Sequence, residues 1–289
     1  MRAIFQWNTG GRVLELGRRT LIMGIVNVTP DSFSDGGLHI DAEKAVLHAE
    51  RLLDEGATIV DVGGESTRPG SQPVSEEEER RRVLPVIRDL KRRRPNAVVS
   101  VDTYKASVAR AAVELGAEIV NDVSGLRWDP KMAKTLAELK VGAILMHTRG
   151  RPEEWRSLPS IGDPVLIVKR DLQQWAEAAT LAGIKRDRLV LDPGFGFGKR
   201  FEENYPLLAH FEKLQQTGFP LLAGVSRKSF IGRMLARDGK DADVAERLYG
   251  TLAAEAGLIL KGVHIIRTHD VRFAGEAARV ADTMVASGG

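Results

Sequence analysis

Val190-Leu191-Asp192-Pro193-Gly194-Phe195-Gly196-Phe197-Gly198-Lys199 is an apolar run that ends in an acid and breaks at once into proline and alternating glycines. Leu189 to Leu191 reads as a buried strand, and Pro with Gly stops it at a loop. Asp192 then stands at the carboxyl end of a strand, where α/β folds place their ligands. The glycine spacing does not match G-x-G-x-x-G, so a dinucleotide fingerprint is set aside.

The same design recurs upstream. Gly56-Ala57-Thr58-Ile59-Val60-Asp61 closely matches Gly116-Ala117-Glu118-Ile119-Val120-Asn121, and Gly142-Ala143-Ile144-Leu145-Met146 is a looser third copy. Each reads as a helix stop, a short apolar strand and a residue delivered at the strand end. The spacing of the first two accommodates two βα units of about 30 residues each. Further strands are expected at Leu21 to Asn27, Ala97 to Asp102, Pro220 to Val225 and Val263 to Arg267.

Helices fit between them. One is expected from about Asp41 as N-cap, with Ala45, Ala49, Leu52 and Leu53 on one face, stopped by Gly56. A second is opened by a Ser75/Glu78 capping box and kinked or divided by Pro85. Its Glu76, Glu77 and Glu78 stand four residues before Arg80, Arg81 and Arg82, the pattern of a solvated face. Val108, Ala111, Ala112 and Leu115 mark a third. Others span Asp163 to Ala182, Glu202 to Leu214, Asp243 to Leu260 and Val271 to Val285. About eight apolar strands, each followed by a helix, imply a parallel sheet closed as a (β/α)8 TIM barrel, in α/β class. A doubly wound open sheet is the rival. The opening segment, Ala3 to Trp7 and Val13 to Leu16 around Gly10-Gly11, reads as an N-terminal β-hairpin plugging one end.

With 289 residues, a single domain over 1–289 suits such a barrel, which takes about 250. Hydrophobic content is 43% and charged content 28%, the balance of a chain with a sizeable core. No apolar run reaches about 18 residues, so no membrane partner is expected. The opening residues lack the apolar centre of a signal peptide, and there is no cysteine, which together point to the cytoplasm. The pI of 9.1 rests on a net charge of only +3, too weak a footprint for nucleic acid.

Polar groups stand at nearly every strand end: Asn27, Asp61, Asp102, Asn121, Met146 with His147, Asp192, Lys228, and Arg267 with His269. One such acid is as easily a helix cap or turn former as a ligand. A whole ring of them is harder to explain that way, because a buried acid is costly without a partner. Asp102, Asn121 and Asp192 suit a flat heterocycle with an amino-pyrimidinone edge. Arg68, Arg267 and His269 with Asn27 suit phosphate oxygens, and the Asn27 amide could hold a magnesium ion. Ser226-Arg227-Lys228-Ser229 places a cation and hydroxyls between the two sets. His147 and His48 read as structural histidines, and Met146 as a wall residue.

Seven segments now carry a resemblance. They are Met23 to Gly36, Gly64 to Gly70, Ser100 to Lys105, Asn121 to Gly125, Leu191 to Lys199, Ser226 to Ser229 and Arg267 to Asp270. Over nearly its full length the chain resembles the dihydropteroate synthases, folate-pathway enzymes. One departure is Thr148, where many members carry methionine. The resemblance implies a (β/α)8 barrel, usually a homodimer, that condenses 6-hydroxymethyl-7,8-dihydropterin diphosphate with p-aminobenzoate. It implies that Asp102, Asn121, Met146, Asp192 and Lys228 hold the pterin. Asn27, Thr67, Arg68, Arg267 and His269 would meet the diphosphate and its Mg2+. Thr67, Pro69, Phe197, Lys228 and Ser229 would frame the p-aminobenzoate. Asp102, Lys228, Arg267 and His269 are the expected catalytic residues.

Rival activities are a pterin-binding methyltransferase of the corrinoid-dependent type, an aldolase forming a Schiff base on Lys228, and a non-catalytic pterin binder. The methyltransferase should not need the phosphate-binding groups Arg68, Arg267 and His269.

Overall fold

A computed structural model describes residues 2–29, 38–66 and 72–288, with 38–41 as backbone only. Thr67, Arg68 and Pro69 therefore lie outside the described residues. Strands β1 (Phe5–Asn8) and β2 (Val13–Leu16) form the expected antiparallel hairpin. Eight parallel strands follow: β3 (Leu21–Asn27), β4 (Ile59–Gly63), β5 (Val98–Asp102), β6 (Ile119–Asp122), β7 (Gly142–Met146), β8 (Leu189–Asp192), β9 (Leu222–Ala223) and β10 (Ile265–Thr268). They neighbour one another in the order β8-β7-β6-β5-β4-β3-β10-β9. A parallel bridge between Leu191 and Leu221 joins the two ends, so the sheet closes on itself. An open doubly wound sheet would instead reverse its strand order at a switch point and leave two edges.

The barrel interior explains why apolar strands end in polar groups. Side chains alternate across a strand with period two. Met23, Ile59, Val98, Ile119, Ile144, Val190, Leu222 and Ile265 form one buried interior cluster, and Trp7 and Leu16 of the hairpin seal it from below. Trp7 also donates from Nε1 to the Arg188 carbonyl at 2.9 Å. Two residues further along the same inward rows stand Asp61, Asn121, Met146, Asp192 and Arg267. The intervening residues pack outward against the helices in a second, larger cluster. The chemistry is thus one layer above a dry floor.

The helices are α1 (Leu38–Asp54), α2 (Glu76–Arg93), α3 (Ala106–Glu114), α4 (Met132–Leu139), α5 (Pro164–Leu181), α6 (Phe201–Ala209), α7 (Ser229–Met234), α8 (Leu248–Leu260) and α9 (Val271–Ser287). Several expectations are corrected. α1 begins at Leu38 and takes in Asp41 rather than being capped by it. α2 runs unbroken through Pro85; the carbonyl that loses its partner belongs to exposed Arg81, where water can replace the missing N–H. Ser75 Oγ does accept from Glu78 N at 3.1 Å, but the reciprocal half of the box is missing. The Glu78 carboxylate is drawn instead to Arg82, at 2.7 Å, and to Arg81.

The segment expected as one helix from Glu202 to Leu214 is α6 followed by a 3-10 turn over Phe211–Thr217, because His210 leaves helical geometry at φ −125°. The stretch before α8 is likewise a 3-10 turn, Val244–Arg247. In the third repeat copy the left-handed stop is Lys140, at φ 57°, rather than Gly142. Gly142 lies within β7, where an added Cβ would meet the Trp7 ring at 3.1 Å.

Candidate active site

The repeat noticed in the sequence has a spatial meaning. Its copies deliver Asp61 on β4 and Asn121 on β6, and β5 between them ends at Asp102. Asp102 is in register with Gly63 on one side and Asn121 on the other. Asn121 Nδ2 donates across to Asp61 Oδ2 at 2.9 Å. The same Oδ2 accepts from Arg267 Nε at 2.7 Å, and Arg267 Nη2 donates to Asp102 Oδ2 at 2.7 Å. One guanidinium is therefore clamped between two carboxylates, with Asp61 fully buried.

This arrangement sets the electrostatics. Burial pushes Asp102 up to about 8; Arg267 pulls it down, and the neighbouring Asp61 charge pushes it up again. Two acids share one cation, so one of them holds its proton readily. Asn121 is oriented by Asp61, which can only accept. Its buried Oδ1 is left without a partner among the described residues, so an acceptor is open there.

The loop after β8 supplies the opposite wall. Asp192 is 4% exposed, and its Oδ1 accepts from Gly194 N at 2.7 Å. Gly194 has φ 63°, and a Cβ there would come within 2.0 Å of the His147 carbonyl. Only glycine can make this turn. Lys199 lies beneath the loop and donates to the carbonyls of Gly194 (2.8 Å), His147 (3.2 Å) and Phe197 (3.2 Å). Burial drives its pKa well below the lysine range. From sequence Lys199 has no assigned role; nothing in a Gly-Lys pair says that it reaches backward.

Lys228 reaches over from beyond β9. Its Nζ donates to the Phe195 carbonyl and lies 4.4 Å from the Phe197 ring centroid. Burial lowers its pKa to about 7, while Asp192 and Asp102 raise it. Between about pH 7 and the ordinary lysine value the unfolded chain binds a proton that the folded chain does not, so stability rises with pH across that window. Lys228→Met removes this dependence. Its melting temperature should exceed that of the parent most at pH 7, with the gap narrowing toward pH 10. Calorimetric melts at pH 7, 8.5 and 10 measure it, and a gap independent of pH would show an unperturbed lysine.

The side of the mouth after β9 and β10 is built from adjacent turns. Ser226 Oγ accepts from His269 N at 3.2 Å and lies 3.0 Å from His269 Nδ1. Arg227, in left-handed geometry at φ 57°, pairs through Nε and Nη2 with Asp270, the former at 2.9 Å. Both residues stand in segments that the sequence placed at the site, but neither their pairing nor a role for either was read from it. Asn27 ends β3 in register with Gly63, which is in turn in register with Asp102 on the next strand. Met146 is buried at the end of β7, Phe197 is half-buried, and Ser229 is exposed as the first residue of α7.

The flanks of segment 67–71 are tied together. Glu65 Oε2 accepts from Lys105 Nζ at 2.6 Å and Val74 N at 3.2 Å, and Tyr104 OH donates to Oε1 at 3.1 Å. Lys105 also pairs with buried Glu79, one acid of the glutamate run that does not face solvent. His147 is structural, as expected: its Nε2 lies 3.3 Å from Asp171 Oδ2 and its ring stacks on Trp175. Thr148, the departure from the family pattern, is buried.

Comparisons agree with this geometry. The family model of pterin binding enzymes matches residues 23–269. The dihydropteroate synthase of Bacillus subtilis is 44% identical over 282 residues, covering 98% of this chain and 94% of that one. The structure of Xanthomonas albilineans dihydropteroate synthase with 4-aminobenzoic acid superposes with a TM-score of 0.89 at 44% identity, covering 98% of both chains. The same enzyme in complex with 7,8-dihydropteroate gives 0.85 at 42% identity, covering 96% of this chain and 98% of that chain. With a strand-end ring of acids, amide and arginine at the mouth of a barrel of this family's shape, the chain belongs to the pterin-binding enzymes, among the dihydropteroate synthases.

Proposed function

We propose that the site joins p-aminobenzoate to the methylene carbon of 6-hydroxymethyl-7,8-dihydropterin diphosphate, releasing diphosphate. The observation that carries this reading is the Arg267 guanidinium clamped between Asp61 and Asp102, with Asn121 and Asp192 alongside. It combines acceptors for an amino-pyrimidinone edge with a cation at the mouth. Asp102, Asn121, Asp192 and Lys228 hold the pterin, and Met146 walls its ring. Arg267 and His269 face the diphosphate. Phe197, Lys228 and Ser229 frame the p-aminobenzoate. Thr67, Arg68 and Pro69 keep the roles expected from their resemblance.

The nucleophile is a neutral aryl amine and needs no strong base. The substitution is dissociative: the C–O bond to diphosphate breaks ahead of C–N bond formation at the methylene, no covalent enzyme intermediate forms, and the amine proton leaves to solvent or phosphate. The demanding part is the departure of diphosphate, where fixed cations at the developing charge have most effect. Arg267 needs no reorganisation to act there, because two acids already hold it. Asp102, accepting from the pterin ring, stabilises the positive charge that develops on it.

Asn27 offers one amide oxygen to Mg2+. Among the described residues no group of three or more His, Asp or Glu could hold a metal. That donor set fits an ion bound mostly by diphosphate oxygens and water, a usual habit of magnesium. When bound, such an ion would neutralise charge on the leaving group.

Incubation with the pterin diphosphate and p-aminobenzoate, with and without Mg2+, tests the reading. Dihydropteroate and diphosphate should form in equal amounts. Pterin binding with no diphosphate release would leave a pterin-binding protein. The methyltransferase alternative is not favoured by the relatives.

The whole chain acts as one domain in this reading, since the hairpin seals the barrel floor. It acts in the cytoplasm; no helix among the described residues is long and apolar enough to cross a membrane. It pairs as a homodimer through α8 and α9. Tyr249, Leu260, Phe273, Val280 and Met284 are exposed there, Tyr249 by 82%, and the one charge in α8, Glu255, is buried. Light scattering should return twice the 31.6 kDa chain mass; a monomer at micromolar concentration would remove the dimer.

A further inference from the structure

Phe197 has a fixed backbone and a ring that only its neighbours can orient. Its N–H donates to the Gly194 carbonyl at 3.1 Å, and its own carbonyl accepts from Lys199. Among the described residues two side chains meet the ring. Lys228 Nζ stands 4.4 Å from its centroid on the site side. Trp155 meets it edge-to-face, with centroids 5.5 Å apart and planes at 81°. Trp155 belongs to the segment between β7 and α5, which the reaction as described does not use.

That segment is fastened to the loop after β8 at several points. Arg149 Nη2 donates to the Pro159 carbonyl at 2.8 Å, and Nη1 to the Gly198 carbonyl at 3.3 Å. Ile161 N donates to Glu203 Oε1 at 2.8 Å, while Glu203 Oε2 accepts from Arg200 N at 2.8 Å. The Trp155 indole donates to the Gly150 carbonyl at 3.4 Å. The indole is therefore held in place relative to Phe197 by contacts on both loops. Trp155, Phe197 and Lys228 form a continuous row from the rim to the buried site.

We propose that Trp155 is a positioning residue for the aryl acceptor, setting the Phe197 ring so that it and Lys228 present a flat wall to p-aminobenzoate. This rests on the reading that Phe197 and Lys228 frame that substrate. An edge-to-face contact favours one ring orientation; without it the Phe197 ring can turn into the space left by the indole, and the wall loses its shape. The pterin side depends on it less, since Asp61, Asp102, Asn121 and Arg267 brace one another on strands away from this wall.

Steady-state kinetics on Trp155→Ala and Trp155→Phe, with each substrate varied in turn, provide the test. Trp155→Ala should raise KM for p-aminobenzoate about 3- to 10-fold. KM for the pterin diphosphate should stay within about twofold. Trp155→Phe, which keeps a ring against Phe197, should recover most of the loss. An unchanged KM for p-aminobenzoate overturns the proposal. So do equal rises in both KM values accompanied by a fall in melting temperature, since that pattern marks a merely structural tryptophan. Calorimetric titration of p-aminobenzoate in the presence of diphosphate separates the two readings. If the wild type forms no dihydropteroate yet Trp155→Ala weakens p-aminobenzoate binding, the assigned reaction fails and the contact stands. If the wild type is active and binding is equal in both proteins, the contact fails alone.

Discussion

Arg267→Ala should lower kcat/KM at least about 100-fold and also destabilise the empty enzyme. The catalytic part follows from removing a fixed cation at the leaving group, which costs about 3–4 kcal/mol in comparable sites. The stability part follows from the clamp. Asp61 Oδ2 and Asp102 Oδ2 both lose a 2.7 Å bond to the guanidinium, and stranding a buried carboxylate costs about 3–5 kcal/mol unless it takes up a proton. Asp102, already raised to about 8 even with Arg267 pulling it down, would rise further and hold its proton more firmly against the pterin.

From sequence alone, with Arg267 grouped among phosphate ligands, a pterin without phosphates should bind normally to this variant. The structure changes that expectation. Because Arg267 fixes Asp102, bare pterin should also bind more weakly, by about tenfold, the value of one charged hydrogen bond. The diphosphate ester should lose more. Calorimetry with both ligands separates the effects. Equal losses would show that Arg267 only braces the acids and does not touch phosphate.

The second large effect is expected at Asp61, a residue at the strand end to which sequence reading gave no role. Asp61→Ala removes the shared acceptor of Arg267 Nε and Asn121 Nδ2. Arg267 would then lean on Asp102 alone, and the Asn121 amide would be free to turn. Turnover should fall by about 30- to 100-fold, with stability down by about 3 kcal/mol, the lower end for breaking a buried pair.

Asp61→Asn keeps the shape and removes the charge, which isolates the electrostatic part. The Asp61 charge is among the causes that raise Asp102, so Asp102 should titrate lower in this variant. A carboxyl with a raised folded-state pKa contributes stability that is full below the unfolded value near 4. That contribution is lost as pH rises through about 8. Melting temperature should therefore fall less steeply between pH 5 and 8 in Asp61→Asn than in the parent. Identical slopes would mean that the two acids do not feel each other and that the clamp is only geometric.

These two residues mark the line between what was legible and what was not. The alternation of apolar strands with helices was readable because backbone hydrogen bonding and burial are periodic along the chain, and eight such units have few ways to close. Strand ends were readable because Gly, Pro and Asp interrupt that period. The chain thus disclosed which residues stand at the barrel mouth, among them Asp102, Asn121, Asp192, Arg267 and His269.

The pairings among them were not readable. That Asp61 binds Arg267 across more than 200 residues, that Lys199 turns back under its own loop, and that Arg227 pairs with Asp270 are consequences of barrel closure. The closure sets which strand ends face one another. Likewise Glu76 and Glu77 are exposed as their spacing suggests, but nothing in that run tells that its last acid, Glu79, is buried against Lys105. By itself the sequence determined the architecture and the membership of the ring, since both follow from local period and composition. Which acid shares which cation, and hence where each proton sits, only the tertiary structure decided, because electrostatic coupling depends on distance and burial between residues that the chain order does not bring together.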